Sequence, residues 1–160
     1  MSNIDFIYTD IPLKNLEYTA EEILGGSRSR RVISLDGSPV LGIKFSELPR
    51  NKNSEKWNVP NIGLIRYLVV RGATFFEYSK DDPWKEEDKK SLEWLLNLIG
   101  NHLRGGAKEF YYAHLWVSSG SDEKKPKLKE IDLAKFKPSE KRFDFGHHTI
   151  WKFVDSSIKP

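Results

Sequence analysis

Hydrophobic and polar positions alternate with a period of two in several stretches of this chain, and with a helical period in one. The strongest alternation is Lys108–Ser119. Strand side chains point alternately to opposite sides, so Phe110, Tyr112, His114 and Trp116 share one face and Tyr111, Ala113, Leu115 and Val117 the other. Both faces are apolar enough to be covered, which predicts a strand in the middle of a sheet. Ile4–Ile11 alternates too, and Pro12 should end it. Val32–Leu35 and Val40–Phe45 predict a hairpin around Asp36-Gly37-Ser38-Pro39, with Leu41, Ile43 and Phe45 on one face. Asn61–Ser79 predicts a second strand pair that turns at Arg71-Gly72 and returns through Ala73–Tyr78. Arg66 interrupts an apolar face there, and is expected at a sheet edge or paired with an acid such as Glu77. His147–Val154 predicts a last strand, antiparallel to the central one.

The helical period is clearest after Asp82-Pro83. Leu92, Leu95, Leu96, Ile99 and Leu103 form one stripe, and Trp94 and Leu98 add a second ridge. Asp82 suits the N-cap and Pro83 the first helical position. The acids at 86, 87 and 88 complement the positive end of the helix dipole, His102 and Arg104 the negative end. Gly105-Gly106 should stop the helix. A shorter helix is expected after Thr19, because Thr19 and Glu22 stand at capping-box spacing and Gly25 follows as a stop. These elements add up to an α+β fold: an antiparallel sheet of about five to seven strands with one main helix, about 83–103, packed on one face.

Residues 120–146 break the pattern. This polar, basic insert holds Lys124, Lys125 and Lys127 in one lysine-rich run, and one helical turn is expected at Ile131–Phe136. No repeat or composition shift divides the chain, so residues 1–160 read as one domain.

Composition narrows the class. The chain has 160 residues and no cysteine, which removes disulfides, thiolate nucleophiles and cysteine zinc sites and fits a cytoplasmic setting. Mean hydropathy is -0.57, no apolar run is long enough for a membrane span, and MSNIDFIYTD lacks the pattern of a secretory signal. The net charge of +3 is mild, but its distribution is uneven. Residues 81–93 hold six acids and three bases, whereas 121–142 hold five acids and eight bases. Polar faces of opposite sign are therefore expected.

Three groups of residues carry candidate chemistry. Arg28, Arg30 and Arg31 sit on a Gly/Ser-rich loop that can offer guanidinium forks to a phosphate or carboxylate. Lys124, Lys125 and Lys127, interleaved downstream with Phe136 and Phe143, can track a phosphate backbone, and Trp57 is a candidate contact residue. His114, His147 and His148 are the candidate catalytic set, since two histidines on paired strands can share acid–base work without a metal. His147-His148-Thr149 resembles one of the two His-x-Thr motifs of two-histidine phosphoesterases. The other histidine stands in His114-Leu115-Trp116, which lacks the hydroxyl.

The leading expectation is a small intracellular interaction protein of the inhibitor or immunity type, which binds and covers a protein partner. Five tryptophans and six tyrosines are available for its contact patches. The alternative is a nucleic-acid-binding protein, extending to a metal-independent nuclease or phosphodiesterase that uses the histidines. Neither expectation calls for a cofactor, a metal or a membrane, and the oligomeric state is left open.

Overall fold

The strand expected at Lys108–Ser119 is β5 (Phe110–Val117), and it is paired on both sides. The computed structural model describes residues 2–25, 38, 40–49, 64–72, 75–76, 85–117, 126–136, 145–146 and 148–158. In chain order, β5 follows β1 (Ser2–Thr9), β2 (Glu17–Thr19), α1 (Ala20–Leu24), β3 (Leu41–Leu48), β4 (Ile65–Arg71) and α2 (Glu86–Arg104). It is followed by β6 (Lys127–Asp132) and β7 (Thr149–Val154). The seven strands form one sheet in the order β2-β3-β4-β1-β5-β7-β6. Every neighbouring pair is antiparallel except β6 and β7, which are parallel.

The expected α+β architecture is present. One sheet face carries Ile7, Ile43, Phe45, Ile65, Tyr67, Val69, Phe110, Tyr112, Trp151 and Phe153, and α2 buries Leu92, Leu95, Ile99 and Leu103 in the same cluster. Trp94, Leu96 and Leu98 are partly buried against it, so the second ridge is covered as well. Tyr8, Tyr111, Ala113, Leu115 and Ile150 form a smaller cluster on the opposite face. The alternation along β5 thus sorts its side chains between two apolar layers.

Helix starts follow local chemistry. At α1, Thr19 Oγ1 accepts the Glu22 N–H and the Glu22 carboxylate accepts the Thr19 N–H, both at 3.1 Å. Gly25 closes α1 in the left-handed conformation that a Cβ would disfavour. The helix lies so close to β3 that a Cβ on Gly42 would stand 2.6 Å from Ile23 Cδ1. α2 begins at Glu86, three residues later than the Asp82-Pro83 signal implied. The Asp88 carboxylate accepts the Lys85 N–H (3.1 Å), which satisfies a helix-end donor that has no partner within the helix. Asp82 and Pro83 lie outside the described residues.

Four expectations are corrected. Ile43 and Lys44 of β3 pair with β2 on one edge and β4 on the other, which leaves no edge there for a hairpin partner; Val32–Leu35 lie outside the described residues. Phe75 and Phe76 do not return as a strand. They sit in a turn, Phe76 has φ 67°, and both rings are buried. Arg66 stands on an interior strand rather than an edge, and its guanidinium donates to Pro49 O (3.4 Å). The insert contains β6, an edge strand, so Ile131 and Asp132 extend a ladder instead of starting a helix. A single turn does follow, with the Lys135 and Phe136 N–H groups donating to Asp132 O. Lys127 and Lys129 on one face and Glu130 and Asp132 on the other hid the strand, and lysine is a residue that edge strands use to discourage unwanted pairing.

Candidate functional site

The register of β4, β1, β5, β7 and β6 places Val69, Asp5, His114, Thr149 and Lys127 in one row across the sheet. Directly opposed residues share a face, and this row lies on the α2 side with Ile7 and Tyr112. Asp5 is almost fully buried, its side chain 1% exposed. Its carboxylate accepts from Tyr112 Oη (2.5 Å) and His114 Nδ1 (2.6 Å), and Arg71 Nε stands 3.8 Å away. A carboxylate only accepts, so the hydrogen between it and His114 sits on Nδ1, and Nε2 is the nitrogen that carries a lone pair when the ring is neutral. Among the described residues nothing bonds to Nε2, and the side chain keeps 14% exposure. The Tyr112 ring stacks on Phe145 at 4.6 Å, with His114 tilted against the same ring at 6.2 Å. Phe145 is itself tethered, because its carbonyl accepts from Trp151 Nε1 (2.8 Å).

Three of the candidate residues meet at this end of the sheet. Lys127 opens β6, and its N–H donates to the His148 carbonyl (3.0 Å). His148 does not belong to a strand. Its φ of 51° ends the ladder before β7, and its Nδ1 accepts from the Trp116 N–H (3.1 Å). The expected doublet on one strand is therefore corrected: the strand starts at Thr149. His147, Arg28, Arg30, Arg31, Trp57, Lys124 and Lys125 lie outside the described residues. Among the described residues, no three His, Asp or Glu side chains gather as a metal site.

The other end of the same face is built around His102, on the last turn of α2. Its Nε2 is 2.9 Å from Thr9 Oγ1, and its second nitrogen donates to the Ile11 carbonyl. Burial pushes its pKa below the ordinary value, against the opposing pull of Asp10 and Ile11. His102 is thus a neutral, closed imidazole rather than a cation for the helix end. Asp10 binds the start of β5 through the N–H groups of Lys108 (3.0 Å) and Glu109 (3.2 Å). Burial opposes its ionisation, but these N–H groups hold its carboxyl below its ordinary pKa.

A cleft of about 670 Å³ opens beside His102. Its apolar wall includes Leu13, Leu98 and the pair Tyr18–Trp94, whose rings meet edge to face at 4.9 Å. Burial, aided by the Glu22 charge, raises the Tyr18 pKa, so the phenol stays neutral. Lys14 and Arg104 supply cations, and Asn15, Asn97 and Asn101 supply amides. Among the described residues, no carboxylate lines it.

Asp5, Tyr112, Arg71 and the cleft were not singled out in the sequence. The alternation of Ile4–Ile11 put Asp5 among strand positions, but only the register brings it to His114. No family model matches the chain, and neither a curated protein nor a solved structure matches it.

Proposed function

We propose that the protein works by binding and covering a macromolecular partner, as an inhibitor or immunity-type protein does, and that the cleft beside α2 is its anchor point. The cleft's composition carries this reading. Trp, Tyr and Arg are the side chains that dominate protein contact energies, and Trp94, Tyr18 and Arg104 stand together here. Lys14 and Arg104, in a cleft that no carboxylate lines among the described residues, favour a partner segment that pairs an apolar anchor with a carboxylate. The volume falls within the usual range for enclosing a small ligand or a few inserted side chains.

The test is capture from the protein's native cells by tagged wild type, Trp94→Ala, Arg104→Glu and a control, Lys129→Glu. One partner held by wild type and control, and weakened about tenfold or more in both cleft variants, is the expected result. Equal capture by all four, or no partner for wild type under gentle conditions, overturns the reading.

A nucleic-acid partner is favoured by a separate observation. Lys127 and Lys129 are both exposed on β6, and Lys129 Nζ lies 5.3 Å from the centre of the Trp151 ring. On that reading binding weakens steeply with salt.

A further inference from the structure

The three described histidines differ in what their ring nitrogens do. His102 has both nitrogens engaged, and His148 gives Nδ1 to a backbone N–H. His114 has Nδ1 held by a buried carboxylate, and among the described residues its Nε2 is open. A histidine that serves packing alone needs no buried charge behind it, and burying Asp5 is costly unless its charge is used or fully compensated. A carboxylate that fixes the tautomer and aims the lone pair outward is the arrangement by which a histidine is made a proton acceptor. Cations flank this one on both sides. Arg71 lies against Asp5, and Lys127 stands two strands along the same row, about 10 Å from His114 between Cα atoms at the usual strand spacing.

From this geometry we infer that Asp5 and His114 form a metal-independent acid–base pair acting on an RNA phosphodiester. The substrate class follows from the chemistry available. An imidazole base with an open Nε2 activates a hydroxyl, and a ribose 2′-hydroxyl lies beside its own phosphodiester, while Lys127 on the same row suits the phosphate. His114 Nε2 takes the proton of the ribose 2′-hydroxyl as that oxygen bonds to phosphorus. The bond from phosphorus to the 5′-oxygen breaks, and the leaving oxygen takes a proton from water. The resulting hydroxide recovers the proton from His114. The products are a 2′,3′-cyclic phosphate and a 5′-hydroxyl, with no net proton change. His114 is the catalytic residue, and Asp5 is a positioning residue that acts through it. This activity is independent of the cleft.

The test is incubation of the purified protein with a 12-nucleotide single-stranded RNA, and with the all-deoxy strand of the same sequence, both in chelator, with mass spectrometry of the ends. The expected result is RNA cleaved to cyclic-phosphate ends and DNA left intact. His114→Gln should lower the rate about 100-fold, in line with loss of a general base. Asp5→Asn should lower it at least tenfold and alter the shape of the pH–rate profile, because a carboxamide that donates to Nδ1 moves the ring proton onto Nε2. Glu93→Gln, on the exposed side of α2, should leave it unchanged. Intact RNA with the wild type, or wild-type cleavage by a folded His114→Gln, overturns the inference. Should His114→Gln not fold, carbethoxylation of the wild type decides. Modification at His114 should abolish cleavage, and a modified protein that still cleaves overturns the inference.

Discussion

His102, at the end of α2, and His114, on β5, lie on the same side of one sheet, yet they are opposite kinds of histidine. Thr9 and Asp5, four residues apart on β1, supply their partners. A hydroxyl closes the first ring, whereas a carboxylate orients the second and leaves one nitrogen open. The neighbours differ too. His102 meets Phe110 edge to face at 5.7 Å under the end of α2, which excludes water and favours the neutral form. His114 lies past the apolar part of the row, between Asp5 and the start of β7. A histidine is therefore judged by the account of its two nitrogens rather than by burial alone.

The largest expected effect is at the carboxylate. Asp5→Ala leaves Arg71, Tyr112 and His114 around an absent charge and should cost about 3 kcal/mol of stability, the scale for breaking a buried ion pair. A loss below about 1 kcal/mol in denaturant melts would show that the cluster carries little stability. Thr9→Val should cost about 1–2 kcal/mol, because His102 Nε2 loses its donor in a buried place. An unchanged midpoint would mean that water replaces the hydroxyl.

The subtlest effect is in pH dependence. The folded-state pKa of His102 lies below its unfolded value of 6.5. The unfolded chain therefore takes up a proton at this residue more readily than the folded one. The contribution of His102 is complete above pH 6.5 and is lost as pH falls from there through the folded pKa. His102→Gln should shrink the stability difference between about pH 7 and pH 5. An unchanged slope would assign that acid sensitivity to other groups.

Much of the fold was legible from period and punctuation. Alternation marked β1, β5 and β7, the leucine stripe marked α2, and Thr19, Glu22 and Gly25 marked α1 before any contact was seen. Where local signals misled, tertiary partners had decided. Phe75 and Phe76 look like strand residues because they are aromatic, but they are buried in a turn. β6 looks like solvated insert because an edge strand has little apolar surface to hide. Of the acid–base cluster, only His114 stood out in the sequence. Asp5 is 109 residues away, and nothing local distinguishes it from any aspartate on an alternating strand.

By itself the sequence determined the period of β1, β5, β7 and α2, the capped start of α1 and a central strand apolar on both sides. These depend on residues a few positions apart, where backbone geometry dictates what meets. Only the tertiary structure decided that β1 lies between β4 and β5. That pairing set Asp5 against His114 and Thr9 beside Phe110, and so made one histidine open and the other closed. Register between distant strands is settled by the packing of whole faces, and no single segment contains that information.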